Sequence, residues 1–200
     1  FILPRLLPLA GLEVLTIGLM EEFLENNIDV DLVIIEEAGN FDGYLDERIT
    51  VFNLGANRLF YSINPMRKYI NTSKPDSIYV ATWPLTSLSG ISRFFSSHQS
   101  NLIFSDHNPL TQQYHYFNVA KRHLMRIFTN LTYKFCDYHI SVSNDVRIDL
   151  MKNFKLKGSK FVVINNMVKF PSNNSSSFDD SEHLNRIKEF KGYKILTVGR

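Results

Sequence analysis

The chain has 200 residues, 44% of them hydrophobic and 21% charged, with a formal net charge of +2. That length fits one ordinary domain, the composition supports a core, and the charge is too small to point to nucleic acid. One cysteine, Cys136, excludes a disulfide framework and fits a reducing compartment, and no run approaches eighteen consecutive apolar residues, so no membrane span is expected.

The first residues, Phe1-Ile-Leu-Pro-Arg5, lack the basic leader and long apolar run of an export signal, so a cytoplasmic protein is expected. The sequons at Asn71, Asn130, Asn173 and Asn174 then read as chance. Phe1–Leu3 reads as the end of a first strand. Leu12 to Asn27 follows as a helix, with Leu12, Leu15, Leu19 and Phe23 at helical spacing beside Met20 and Leu24. Short apolar runs then recur at Val30–Ile35, Ile49–Phe52, Ser77–Ala81, Asn101–Phe104, Tyr138–Val142 and Lys160–Ile164. Near-continuous runs of this length suit strands buried on both faces of a parallel sheet.

A second helix is expected over Val119–Phe135. Its buried stripe is expected to be Leu124, Ile127, Phe128, Leu131 and Phe135, with Lys121, Arg122 and Arg126 on the other side. A third starts at Ser143, a good N-cap, with Asp145 in its positive first turn and Val146, Leu150 and Phe154 facing inward. Strand alternating with helix implies an α/β fold with a doubly wound parallel sheet and right-handed crossovers. Residues 1–170 form that domain. Residues 171–192 read as a Ser/Asn-rich linker and a short helix, and residues 193–200 as a further strand running into Gly199-Arg200, the start of a truncated second domain.

In such sheets, ligands bind beyond the carboxyl ends of the strands. Three segments fall in or near that place. Pro4 to Glu13 lies between the first strand and the first helix; Gly11 would let a backbone approach a ligand there, with helix N–H groups free for an anion. It equally permits a plain turn, and the absence of GxGxxG argues against a nicotinamide-type site. Ser105-Asp-His-Asn-Pro109 follows the Asn101–Phe104 strand. His107 suits proton handling or holding a hydroxyl near neutral pH, although Asp, Asn and Pro also make turns. Tyr114-His-Tyr-Phe117 leads into Lys121, Arg122 and Arg126, a pairing of aromatics and cations that suits an anionic bilayer or a lipid carrier's phosphates, or else a solvated helix face. Cys136 reads as a core residue. His98, His123, His139 and His183 show no metal-ligand spacing, and no metal site is expected.

Taken in order, these segments resemble the N-terminal domain of the family 4 glycosyltransferases, enzymes of GT-B architecture. Ala10-Gly-Leu-Glu13 is similar to the family's Gly-Gly-x-Glu loop. Lys74-Pro-Asp76 before the Ile78–Ala81 run, Ser105-Asp-His107 after a strand, and Asp137-Tyr-His-Ile-Ser-Val-Ser143 before a helix follow the family's order. Lys160–Asn166 is similar to the run into Asn-Gly-Val-Asp, and Tyr193–Arg200 to the Val-Gly-Arg that opens the nucleotide-binding domain. Two positions depart: Ala10 replaces the first glycine, and Asn166-Met-Val-Lys169 replaces Asn-Gly-Val-Asp.

The resemblance implies a Rossmann-like domain forming one half of a GT-B enzyme. It implies transfer of a sugar from a nucleotide-sugar donor to a glycan or lipid-linked acceptor in surface polysaccharide synthesis, with retention of configuration. The Gly11 N–H and Arg200 would meet the donor diphosphate, and His107 would contact the transferred sugar or the acceptor. Lys121, Arg122 and Arg126 would form an acceptor or membrane face, placing the enzyme at the cytoplasmic side of a membrane. Neither metal nor cofactor is implied, since the nucleotide-sugar is a substrate. Residues the family uses beyond its Val-Gly-Arg are not in these 200, so this chain alone is expected to be inactive. The alternatives are a non-catalytic nucleotide- or sugar-binding module, a partner-dependent half of a split enzyme, and a flavodoxin-like or receiver-type signalling domain. The last wants an acidic cluster at the strand ends, and Glu36-Glu37, Asn53, Thr82 and Ser105-Asp106 do not make one.

Overall fold

The computed structural model describes residues 1–6, 11–36, 45–154, 156 and 161–166, all within one compact unit, Phe1–Val168. The expected linker, the expected terminal strand and Arg200 lie outside these residues. Among the described residues there are seven strands: β1 (Ile2–Leu3), β2 (Asp31–Ile34), β3 (Thr50–Asn53), β4 (Ser77–Val80), β5 (Asn101–Asp106), β6 (Tyr138–Ser141) and β7 (Phe161–Val163). Six α-helices among the same residues accompany them: α1 (Gly11–Glu25), α2 (Ile63–Ser73), α3 (Leu85–Phe94), the short α4 (Leu110–Gln113), α5 (Val119–Thr132) and α6 (Asn144–Phe154).

All strand pairs are parallel, in the order β3-β2-β1-β4-β5-β6-β7. The order reverses between β1 and β4. With right-handed crossovers, that reversal sends the helices before and after it to opposite faces. The packing agrees. Met20 and Leu24 of α1 join Leu3, Leu32 and Ile34 in one core, whereas residues of α2, α3 and α6 join Ile2, Val33, Ile78, Val80, Leu102 and Phe104 in the other. This is the Rossmann-like α/β sheet expected from the sequence.

Local signals explain several boundaries. Lys74 adopts φ 49°, a left-handed residue that closes α2 just before Pro75. Asn118 caps α5 by accepting the Lys121 N–H at 2.9 Å. Ser143 Oγ accepts the Val146 N–H at 3.3 Å, and Val146, Leu150 and Phe154 of α6 are buried as expected. Burying such side chains contributes roughly 1.5–3 kcal/mol each.

Two expectations need correction. First, the strands are not uniformly buried on both faces. Leu32, Val33 and Ile34 of β2 are, but along β4 to β6 burial alternates: Ile78, Val80, Leu102 and Phe104 are buried, while Tyr79, Ile103 and Ile140 are only half-buried. The face carrying Tyr79, Ile103 and Ile140 lies opposite the core that takes in residues of α2, α3 and α6.

Second, α5 is turned the other way. Three members of the stripe expected to be buried are exposed, Leu124 60%, Ile127 46% and Leu131 56%, while Phe128 and Phe135 are half-buried and Phe128 packs against the core. Its inward face holds Thr129 and Thr132 instead. The reason lies in α3, whose Thr86, Ser87, Ser89, Gly90 and Ser92 are all buried. A Cβ on Gly90 would stand 3.1 Å from the Thr132 carbonyl oxygen, so the two helices approach too closely for a leucine between them. Hydroxyls fill the seam. Thr132 Oγ1 lies 2.8 Å from Ser87 Oγ, and Trp83 Nε1 donates to Thr129 Oγ1 at 3.0 Å.

Candidate active site

Strand alternation and the reversal of strand order together build the site. The crevice of a doubly wound sheet opens beyond the carboxyl ends of the strands flanking the reversal, here β1 and β4, with β5 next to β4. Three groups sit at or near these ends. Gly11 opens α1, which follows β1; Thr82 follows β4; and His107 follows β5.

Along β5, side chains alternate. Ser105 and His107 belong to the face shared with Tyr79 and Ile103, and Phe104 and Asp106 to the face under the helices. His107 is half-buried, with Nε2 3.2 Å from Ser105 Oγ, and the Tyr79 hydroxyl also hydrogen-bonds Ser105. Burial lowers the His107 pKa, so its imidazole is neutral at pH 7 and offers one donor and one acceptor. Tyr79, Ser105 and His107 share the wall of a cavity of about 630 Å³ with Ile140, Val142 and, from α1, Leu15 and Thr16. A mostly apolar hollow with a few convergent polar groups is the usual form of a small-molecule site.

Asp106 serves the opposite face. It is 3% exposed, its Oδ1 accepts the Tyr133 hydroxyl at 2.8 Å, and Oδ2 has no partner among the described residues. Burial pushes its pKa up to about 7. Tyr133 Oη lies 3.1 Å from Thr86 Oγ1, so Asp106 ties the end of β5 to the helical layer and does not share the His107 cavity.

The other sequence-derived residues fall as follows. Gly11 is exposed, and nothing lies within 4 Å of the position a Cβ would take, so packing among the described residues does not demand glycine. The first-turn N–H groups of α1 have no acceptor within the helix itself, and Glu13 sits in that turn. Gly11 is not in the wall of the His107 cavity. Of the three cations on α5, Lys121 is exposed, with its ammonium 4.3 Å from the Phe117 ring centre. Arg122 and Arg126 are half-buried and donate to backbone carbonyls, Arg122 to Phe117 O and Arg126 to Asn153 O. Cys136 is buried, with Sγ 2.8 Å from Tyr138 O, and burial pushes its thiol up to about 12. His139 is buried in a stack between Tyr133 and Phe161. Among the described residues, no group of three His, Cys, Asp or Glu could hold a metal.

Reading the sequence missed Tyr79 and the buried Thr82 hydroxyl, which has no partner among the described residues. The signal for Tyr79 was available, since it is a polar-tipped side chain between the aliphatic Ile78 and Val80 of β4. Its use depends on β4 pairing with β5, which only the sheet order reveals.

The model of Glycosyltransferase Family 4 matches residues 9–170. Among solved structures, a glycosyltransferase from Rickettsia africae ESF-5 superposes with a TM-score of 0.58 at 18% identity, over 84% of this chain and 42% of that one. Anabaena Alr3699/HepE, solved in complex with UDP and glucose, superposes with a TM-score of 0.58 at 16% identity, over 84% of this chain and 44% of that one. The chain thus spans less than half the length of either structure. No curated protein matches it by sequence.

Proposed function

Because this chain belongs to Glycosyltransferase Family 4, we propose that it is the acceptor-side half of an enzyme that transfers a sugar from a nucleotide-sugar donor to a glycan or lipid-linked acceptor. The observation that carries this reading is the placement of His107, neutral, beyond the end of β5 and in the wall of an apolar cavity. UDP and glucose in the Anabaena structure support a nucleotide-sugar donor.

In this reading, His107 holds a hydroxyl of the transferred sugar or acceptor near the reacting carbon, with Ser105 fixing the ring through Nε2. The first turn of α1, beginning at Gly11, offers N–H groups to the donor diphosphate, and Arg200 adds a guanidinium fork from the sequence beyond. Both act where negative charge grows on the leaving nucleoside diphosphate. The only buried carboxylate near His107 in sequence, Asp106, faces away. Retention through attack on the leaving-group face, without a protein nucleophile, fits that arrangement. A hexose donor, surface polysaccharide as product and a cytoplasmic protein peripheral to the membrane complete the proposal.

The test is sugar transfer from radiolabelled nucleotide-sugars by the whole protein and its His107→Ala variant. A loss of roughly 10²–10³ in kcat with an unchanged melting temperature is expected. Undiminished turnover in the variant would remove His107 from the chemistry, and donor binding without turnover in the wild type would favour a binding module.

A further inference from the structure

α5 is built inside out. Where it crosses α3 its seam is hydroxyl against hydroxyl and glycine, Met125 and Phe128 pack partly inward beside it, and its outward face is leucine and isoleucine. Small-residue seams between helices are the packing used where the outside is apolar. The exposed stripe does not stand alone. Phe128 of α5 lies 6.5 Å, ring to ring, from the exposed Phe60, and Phe135, just past α5, stacks on the exposed Phe94 at 4.7 Å. The stripe is therefore continued by exposed rings, Phe60 beside it at Phe128 and Phe94 past its C-terminal end. A contiguous apolar surface of this kind marks an interaction site.

Its charge setting says what kind. Residues 49–137 contain nine Lys or Arg and three acids, Asp76, the buried Asp106 and Asp137, the last paired with Arg93, a balance of +6 in a chain whose total is +2. No acid occurs in α2, α3 or α5. Lys121 and His123 on α5 and Lys134 just after it are exposed and lie around the stripe.

We infer that the outward face of α5, with Phe60 and Phe94 beside it, docks on the headgroup layer of an anionic bilayer, its leucines inserted and Lys121 and Lys134 on the phosphates. Apolar side chains flanked by flexible cations match the layered chemistry of that interface, and the +6 balance supplies the attraction. A soluble acidic protein would also feel the charge but offers no layer to receive the stripe. The inference deepens the lipid-linked acceptor reading and rests on it only for why docking is useful; the residues differ from the earlier expectation, since Arg122 and Arg126 turn inward.

The experiment is co-sedimentation of the full chain with phosphatidylcholine vesicles and with vesicles containing about 30% phosphatidylglycerol, at low and high salt. Binding is expected only to the anionic vesicles and weakened by salt. The Leu124→Ser/Leu131→Ser pair and the Lys121→Gln/Lys134→Gln pair should each reduce it roughly tenfold or more. These side chains are exposed, so melting temperatures should not move. His107→Ala should bind vesicles like wild type, which separates this test from that of the chemistry. Absence of binding, equal binding to neutral vesicles, or indifference to either pair would overturn the inference. A dimer in light scattering that the leucine pair dissolves would overturn it too, assigning the stripe to a second copy.

Discussion

Thr132 Oγ1 lies 2.8 Å from Ser87 Oγ, hydroxyl against hydroxyl, where α5 crosses α3. Three residues along α3, the Cβ that Gly90 lacks would come within 3.1 Å of the Thr132 carbonyl. One close crossing thereby decides which side of α5 meets solvent.

Filling that crossing should be costly. Gly90→Val places a branched side chain against backbone that has no room to yield, and a loss of about 2–3 kcal/mol is expected from urea denaturation. Gly11→Ala is the contrast: with nothing within 4 Å, its stability should stay within about 0.5 kcal/mol or rise. Equal costs at the two sites would refute the close crossing.

Asp106 makes stability depend on pH. Its folded pKa, about 7, stands above the ordinary carboxylate value of 3.8 because the group is buried. Between these values the folded state holds the proton and the unfolded state releases it. Stability should therefore fall as pH rises from about 4 to 7, by up to about 1.4 kcal/mol per pH unit, and level off above. Asp106→Asn should remove that slope. Denaturation curves at several pH values check this, and a wild-type slope unchanged in the variant would assign it elsewhere.

Arg93 joins three elements. Its guanidinium donates to Ser100 O, Phe135 O and Asp137 Oδ2, at 2.9, 3.0 and 2.9 Å, and the same Asp137 oxygen accepts the Leu102 N–H. Arg93→Ala should cost about 2–4 kcal/mol, because two carbonyls and a half-buried carboxylate lose a charged donor. Arg93→Lys should recover little of this, since an ammonium cannot fork to three acceptors. Thermal unfolding of both variants tests the point, and full rescue by lysine would reduce the role to charge alone.

Burial lowers the His107 pKa below the ordinary 6.5, so the imidazole stays neutral further into acid. In a whole enzyme that needs neutral His107, the acidic limb of kcat/KM should lie below pH 6.5. A limb above that value that vanishes in His107→Gln would show instead that a neighbouring negative charge reaches the ring.

The sequence by itself determined the class of fold and the positions of its strands. Runs such as Val30–Ile35 and Asn101–Phe104, alternating with helical spacing, point to a parallel sheet crossed by helices, though they do not fix the order of its strands. It also marked His107, because a histidine just past a strand is a local pattern. The inner face of α6 was legible for the same reason, since Val146, Leu150 and Phe154 recur at helical spacing behind a serine cap. What the sequence could not carry was orientation between elements. The apolar spacing of α5 identifies a face but not its direction. Only the small residues of α3, some forty positions earlier, turn that face outward by bringing two backbones close. Likewise, β4 reads as fully buried until the strand order leaves Tyr79 and its neighbours half-buried beside an open cavity. Those outcomes depend on which surfaces meet, and contact between distant segments is decided by tertiary packing alone.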